Sequence, residues 1–391
     1  MKSWPTKLLG EVLEISRERI EPIEHPDTPF NYIGLESIEG HSGNLLPYQP
    51  TLGAEIRSTK TVFHRNEILY GKLRPYLNKV HLASDDGICS TDIYVLRPRQ
   101  NQILPSFAAN YLRSPSVLAV VSNAMAGANL PRIGQDALLD ISVPVPPLVE
   151  QERIVKLLDE ADGLRKLRAQ AALRADALIP ALFQEMFGDP STNSKKWPLQ
   201  PVSELIEECD YGTSQKANEE GRGITVLRMG NVTTEGLLDL ANLKTVELTK
   251  NELAKQRLQV GDVLFNRTNS RELVGKTGMW DGRFEAVAAS YFIRLRFRSD
   301  IEHPQHFTTF MNLPFMKQKL VEMARGAVGQ ANINSKELKS IIVPVPPLDL
   351  QKKFAERVTE IRELEASQAT SRTHLDALFQ SMLHRAFNGD L

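Results

Sequence analysis

The sequence predicts an α+β fold built twice over: two mixed α/β domains in tandem, each followed by one long helix. Three observations carry that reading. A proline-rich motif recurs 200 residues along the chain. Stretches rich in Gly, Pro and short β-branched runs alternate with stretches almost free of both. And 391 residues exceed what a single hydrophobic core usually serves.

The repeat comes first. Ser142-Val143-Pro144-Val145-Pro146-Pro147-Leu148 returns as Ile342-Val343-Pro344-Val345-Pro346-Pro347-Leu348, and a glutamine stands three positions after each leucine, at Gln151 and Gln351. Leu182-Phe183-Gln184-Glu185-Met186 returns as Leu378-Phe379-Gln380-Ser381-Met382, and Phe187-Gly188-Asp189 as Phe387-Asn388-Gly389-Asp390. Trp4-Pro5 has its echo in Trp197-Pro198. The expected boundaries are a first globular part at 1–148, a helical region at 149–190, a second globular part at 191–347 and a C-terminal helical region at 348–391.

In the globular parts, runs such as Ile93-Tyr94-Val95-Leu96 and Phe292-Ile293-Arg294-Leu295 read as strands between turns. Residues 149–187 and 349–387 hold no interior Gly or Pro except Gly163 and Pro180, and each would span about 58 Å if wholly helical. Ile154, Leu157, Ala161, Leu164, Ala171, Ala175, Leu178 and Leu182 follow a spacing of three and four, with Arg168 as the polar exception. Val358, Ile361, Leu364, Leu375 and Leu378 form a looser stripe in the second stretch. Stripes this narrow need a partner. Either each helix packs on its own domain or the two pair with each other, and the duplication favours pairing about a pseudo-two-fold axis. Pro180 should end or kink the first helix.

Composition limits the class. Hydrophobic residues make up 41% and charged residues 24%, and no apolar run approaches the roughly 18 residues of a membrane span. Met1-Lys2-Ser3-Trp4-Pro5 lacks the apolar core of a secretory signal. Cys89 and Cys209 are isolated, with no CxxC and no His at zinc-ligand intervals. The expectation is a cytoplasmic protein without membrane contact, structural disulfides or a bound metal. Net charge is −1 overall: −1 for 1–148, −2 for 149–190, +3 for 191–347 and −1 for 348–391. If nucleic acid is the ligand, its phosphates must meet local patches or a partner protein.

Two polar segments occupy comparable places in the two units. They are Ile68-Leu69-Tyr70-Gly71-Lys72-Leu73-Arg74-Pro75-Tyr76-Leu77-Asn78-Lys79-Val80 and the stretch from Gly261 to Thr277, which contains Asn266-Arg267-Thr268-Asn269-Ser270-Arg271 and Lys276. Arg and Asn suit bidentate contacts to guanine and adenine edges, while Lys, Ser and Thr suit phosphates. A solvated basic loop is the competing account. Gly127-Ala128-Asn129-Leu130-Pro131-Arg132-Ile133 and Gly329-Gln330-Ala331-Asn332-Ile333-Asn334 form a third pair, whose amides either meet DNA or cap the helix that follows. Tyr48, Tyr76 and Tyr211 suit stacking or ordinary packing. The candidate DNA-binding residues are Lys72, Arg74, Asn78, Lys79, Asn266, Arg267, Asn269, Arg271, Lys276, Gln330 and Asn332.

No catalytic motif accompanies them. Gly275-Lys276-Thr277 ends like a phosphate loop, but Ser270 stands where the earlier glycine is required. GxGxxG, HExxH and GxSxG are missing, as is the Asn-Pro-Pro or Asp-Pro-Pro that holds a flipped base in amino-methyltransferases. No catalytic residue is therefore assigned.

The duplicated Val-Pro-Val-Pro-Pro-Leu junctions with their glutamines and long helices, with Gly71-Lys72-Leu73-Arg74-Pro75-Tyr76-Leu77-Asn78-Lys79-Val80 in one copy and Gly261 to Ser270 in the other, resemble the specificity subunit of type I restriction-modification systems. The resemblance covers essentially the whole chain. It implies two target recognition domains, each reading half of a bipartite double-stranded DNA site, and helices forming an antiparallel coiled coil that separates them and binds two modification subunits. S-adenosylmethionine would sit on those partners, and ATP and Mg on the restriction subunits that complete the enzyme; this chain would bind no cofactor. A stand-alone DNA-binding regulator and a protein-interaction scaffold of the same architecture are the alternatives.

Overall fold

In the computed structural model the described residues are 4–125, 129–175, 177–324 and 331–391. The chain divides into two compact units, Met1–Gln170 with Ala369–Leu391, and Ala171–Gln368. The same plan is visible in each.

In the first unit, strands Leu13–Ile15, Ile93–Pro98, Ile68–Gly71 and Val80–Leu82 lie in that order in an antiparallel sheet. A second sheet orders Arg19–Ile20, Lys60–Phe63, Gly87–Cys89 and Tyr32–Ile33, its last pair parallel. The second unit repeats the antiparallel sheet with Ile206–Tyr211, Phe292–Phe297, Val263–Asn266 and Thr277–Met279. Its other main sheet orders Lys244–Val246, Ile224–Leu227 and Ala286–Ala288, again closing on a parallel pair. Strand Val263–Asn266 is buried on both faces. Val263 and Phe265 join the core under the helices, while Leu264 joins Trp280 and Phe292 on the opposite side, as the alternation of side chains along a strand demands.

The two halves of the sequence repeat meet in a short ribbon. Thr6–Leu8 pairs with Ser142–Pro144, and Leu199–Pro201 with Ile342–Pro344. The Val145 amide donates to the Pro5 carbonyl at 2.8 Å, and the Val345 amide to Pro198 at 2.8 Å. Trp-Pro and Val-Pro-Val-Pro-Pro are thus the two edges of one closure.

A glutamine fixes the direction of each helix as it leaves that closure. Gln151 is fully buried; its Oε1 accepts from the Leu104 amide at 2.8 Å and its Nε2 donates to the carbonyls of Pro146 at 2.8 Å and Gln102 at 3.2 Å. Gln351 does the same with the His303 amide at 2.7 Å and the carbonyls of Pro346 at 2.8 Å and Ile301 at 3.1 Å.

The first helical region is Leu148–Ala175 followed by Leu178–Phe187; the second is one helix, Leu348–Asn388. Pro180 lies in the first turn of Leu178–Phe187, where its missing N–H breaks no helical bond. In the first unit Ile154 and Leu158 share a core with Phe107, Phe379, Leu383 and Phe387. Phe387 meets Phe107 and Tyr111 edge-on, with ring centroids 5.2 and 5.1 Å apart. Arg165 lies 4.5 Å over the Phe379 ring and donates to Asp376 at 2.7 Å. Partner numbers fall as helix numbers rise, so the two helices run antiparallel in this unit. In the second unit Phe183 and Phe187 pack edge-on against Phe354 at 5.6 and 5.1 Å. Packing on a domain and pairing of helices are therefore one seat, not two choices.

The stripe read from the sequence is only partly the buried one. Leu158 is buried where Leu157 is half-buried, and Leu164 is 57% exposed, Leu178 48%, Leu364 61% and Leu378 54%. In the first unit the cause is polar. Arg165, salt-bridged to both Asp162 and Asp376, takes the place a leucine would fill between the helices.

Removing either glutamine leaves a buried amide and two carbonyls without their partner. Gln151→Ala and Gln351→Ala should each cost about 2–4 kcal/mol in urea unfolding. Losses under about 0.5 kcal/mol, the range of inert surface changes, would mean the helix starts are held otherwise.

Candidate nucleic-acid interface

Backbone hydrogen bonds bring the two candidate loops into register. The Lys72 amide donates to the Asp92 carbonyl at 3.0 Å and its carbonyl accepts from Ile133 at 3.1 Å; the Arg267 amide donates to Tyr291 at 2.9 Å and its carbonyl accepts from Ile333 at 2.9 Å. Lys72 and Arg267 are therefore the same position, one residue past strands Ile68–Gly71 and Val263–Asn266. Each is laid on a tyrosine: Lys72 Nζ is 5.0 Å from the Tyr94 ring centre, and the Arg267 guanidinium 4.7 Å from that of Tyr211. The two rings come from different strands, Ile93–Pro98 and Ile206–Tyr211. The arrangement is rebuilt in each unit from different parts, and the cation–π contact positions the charge without neutralising it.

The surroundings of Arg267 are the more polar. Its Nη2 donates to Asn332 Oδ1 at 3.2 Å, while its Nε is buried and unpartnered among the described residues. The Tyr211 hydroxyl is hydrogen-bonded to the Ser335 hydroxyl at 3.1 Å and accepts from the Ser335 amide at 3.2 Å. Those contacts, with the Arg267 charge beside them, hold the phenol below its ordinary pKa. Asn334 caps helix Ser335–Lys339 through the Glu337 amide at 2.9 Å, so capping is a settled role of this turn. Gly127, Gly329 and Gln330 lie outside the described residues.

The bridge between Leu73 and Arg132 matches the pairing of Thr268 with Asn332. Arg74, whose amide bonds to the Pro131 carbonyl at 2.7 Å, then stands where Asn269 pairs with Ala331. Arg74 is exposed, at a left-handed φ of 48°, and Arg271 is exposed in the other loop. This register also brings in Arg132, which the sequence candidates omit. It is half exposed, 3.3 Å from Asp92 and equivalent to Asn332. The 200-residue offset of the Pro-Pro junctions carries position 132 onto 332 and was the signal that could have found it.

Four candidates turn inward. Lys79 and Lys276 are equivalent, since the Gly71 amide bonds to the Lys79 carbonyl at 2.9 Å and the Asn266 amide to that of Lys276 at 2.8 Å. Lys79 Nζ donates to the Leu35 carbonyl at 2.6 Å and Lys276 Nζ to Met229 at 2.9 Å. Leu35 and Met229 open the 3-10 turns Leu35–Ser37 and Met229–Asn231. Both lysines pin the same turn to the same sheet. Asn78 is buried at a φ of 49°, its Nδ2 donating to the Arg113 carbonyl at 2.9 Å, and its counterpart Gly275 has φ 80°. A left-handed position accepts Asn or Gly, which explains both choices. Asn266 is fully buried, with Oδ1 and Nδ2 unpartnered among the described residues. What faces solvent is Lys72, Arg74 and Arg132 in one unit and Arg267, Asn269, Arg271 and Asn332 in the other.

Two modules of one plan, each presenting a stacked cation beside a polar turn, define a duplicated recognition protein. The chain belongs to the type I restriction modification DNA specificity domain family, whose model matches residues 1–172 and 195–371. Membership makes it a DNA-specificity component of a type I restriction-modification system, non-catalytic by itself. It is 28% identical over 317 residues to the type I restriction enzyme EcoKI specificity subunit of Escherichia coli strain K12, covering 76% of this chain and 68% of that one. It is 31% identical over 189 residues to the EcoDI specificity subunit of Escherichia coli, covering 47% of this chain and 41% of that one. Among solved structures it resembles a chain of a type I R-M system described for its complex assembly and conformational transition, with a TM-score of 0.69, 22% identity and coverage of 99% and 98%. The S subunit from M. genitalium gives 0.56 at 14% identity, covering 98% and 96%. No helix among the described residues is long and apolar enough to cross a membrane.

The inward lysines have a measurable consequence. Lys317 donates to the Gly275 carbonyl at 3.1 Å, and burial, with the Lys276 charge beside it, pushes its pKa down to about 8 from an ordinary 10.5. Between those values the unfolded chain keeps a proton that the folded chain has released. Stability should therefore rise from pH 8 to 10.5 relative to Lys317→Met, measured by urea unfolding; parallel profiles would place the ammonium in water. Lys79→Met and Lys276→Met should each lose about 1–3 kcal/mol of stability while folded protein keeps its DNA affinity.

Proposed function

We propose that the two domains, over residues 1–148 and 191–347, read the two halves of one bipartite, asymmetric DNA site. The helical regions 149–190 and 348–391 carry the modification subunits of the system. The observation that supports this best is the shared position of Lys72 and Arg267. One scaffold position presents an ammonium in one domain and a guanidinium paired with an asparagine in the other. Arg offers a fork to guanine O6 and N7, whereas Lys offers a point charge, so the domains differ in the half-site they prefer.

Partner binding draws on the leucines the fold leaves in water. Leu164 and Leu167 in the first unit, and Leu173 and Leu364 in the second, are each more than half exposed on their helices. Exposed leucines one turn apart on a helix, as Leu164 and Leu167 are, begin the kind of contiguous apolar patch that marks a protein contact. Two modification subunits binding S-adenosylmethionine, and restriction subunits using ATP and Mg, complete the enzyme in this reading, and the chain works in the cytoplasm. A protein whose DNA specificity is exercised through partners needs no large net charge of its own, which agrees with −1.

The test is to co-express the chain with the modification subunit encoded beside it and map adenine methylation on random-sequence DNA. Methylation confined to a two-part motif with a fixed gap is the expected result. Specific binding by the chain alone, without any complex, would instead establish a stand-alone regulator. Arg267→Ala and Arg74→Ala should each cost about 1–3 kcal/mol and relax one base position of the motif. An unchanged motif and affinity in both would show that the reading loops are elsewhere.

A further inference from the structure

The second domain contains a cleft that the candidate residues do not explain. It has a volume of about 690 Å³, and its lining includes Thr213, Ser214, Lys216, Arg228, Ser290 and Tyr291. Its chemistry is cationic and hydroxyl-bearing. Asp239, the acidic residue of the lining, already accepts from the Ala241 amide at 3.0 Å. Gly230, also in the lining, has open space where a Cβ would stand.

Charge pairing distinguishes the cations of this cleft from most of the domain's arginines. Arg222, Arg257, Arg283, Arg294, Arg296 and Arg298 are all held in ion pairs. Arg228 makes no ion pair among the described residues; the Glu219 carboxylate, which feels its charge, is bound to Lys244. Its Nη2 donates to the Asn242 carbonyl at 2.9 Å and its buried Nε has no acceptor. Arg267 likewise makes no ion pair among the described residues and likewise has an unpartnered Nε. The two are linked by Tyr291, which lines the cleft and whose carbonyl receives the Arg267 amide. Lys216 is exposed at the cleft, with no ion pair among the described residues.

The first domain has no arginine at the position of Arg228. Arg228 precedes the 3-10 turn Met229–Asn231, and the residue preceding the matching turn Leu35–Ser37 is Gly34. That difference agrees with the +3 charge of residues 191–347 against −1 for 1–148.

We propose that this cleft seats the sugar–phosphate backbone of one DNA strand, with Arg228 and Lys216 on phosphates and the hydroxyls of Ser214 and Ser290 beside them. The strand then passes Tyr291 toward Arg267 and Asn332, which face the bases. The inference rests on the recognition reading above and adds a division of labour to it. Phosphate contacts set register and affinity, and base contacts set sequence. The second domain thereby supplies a sequence-independent grip through a residue, Arg228, whose place in the first is taken by Gly34.

The test uses the full chain, a labelled mixed-sequence duplex of about 30 base pairs, enough for several phosphate contacts, and a KCl series. Arg228→Gln and Lys216→Gln should each weaken binding about tenfold and reduce the slope of log affinity against log salt by about one. Both should weaken the methylated motif and unrelated sequence alike. Arg267→Ala should instead reduce the preference between them. If Arg228→Gln and Lys216→Gln bind like the parent while Arg267→Ala loses preference, the cleft proposal fails and the reading loops stand. If all three behave like the parent, both fail. Lys216→Gln touches no internal contact, so it decides the matter even if Arg228→Gln misfolds. Binding of adenosine monophosphate or inorganic phosphate that Arg228→Gln abolishes, with duplex affinity untouched, would make this a small-molecule site and overturn the proposal.

Discussion

Each unit depends on one buried side-chain amide. A glutamine withdrawn from water is costly unless both ends of its amide are satisfied, and Gln151 and Gln351 meet that condition with backbone groups on two sides of the helix start. Two of the three partners of each come from the segment before a domain helix, and the third is the carbonyl of the first proline in the Pro-Pro pair. The bond set therefore ties the domain, the rigid junction and the first helical turn at one point. Once that point is fixed, Ile154 and Leu158 can face only the surface that also receives Phe387. The ribbons made by Thr6–Leu8 and Leu199–Pro201 close the other side.

The same bond set gives a residue-by-residue comparison of the two helix seats. Leu104 and His303 occupy one position, so Phe107 corresponds to His306. Phe107 meets Phe387 at 5.2 Å; His306 meets Phe187 at 4.7 Å and bonds through Nδ1 to Glu302 Oε1 at 2.6 Å, with both residues buried. One seat is apolar and the other carries a buried histidine–carboxylate pair at the position of Ile103 and Phe107. A buried polar pair tolerates few alternative neighbours, so the two seats discriminate between the two helix ends that the sequence repeat makes so similar.

The architecture was legible because it is written in short, strongly constrained motifs. The recurrence of Pro-Pro-Leu with its following Gln exposed the duplication, the distribution of Gly and Pro exposed the strand–helix alternation, and Pro180 marked the helix break. The interface was less legible because residue type does not reveal direction. Lys79 and Lys276 look like phosphate contacts until the sheet register shows each ammonium on the carbonyl of a 3-10 turn. Asn78 looks like an adenine reader until its burial and its bond to the Arg113 carbonyl turn its amide inward. Leu164 fits the helical period but faces water, because periodicity cannot show that Arg165 occupies the layer between the helices. Arg132 was the opposite case, a residue whose place the repeat offset already contained. Arg228 had no sequence signal at all, since its lack of an ion pair shows only once the strands have placed most of the domain's other arginines beside carboxylates.

The composition of the units has a consequence for the order in which the protein is made. The second unit, Ala171–Gln368, is a continuous stretch of chain, whereas the first is missing a part until Ala369–Leu391 has been synthesised. Phe107 and Tyr111 are translated early and must leave their faces uncovered until Phe387 arrives. Domains usually mature in the order of synthesis; here the ribosome delivers the later unit whole while the earlier one still waits for its last helical turns. During that interval the apolar seat around Phe107 and Tyr111 in the nascent first domain stays open to water.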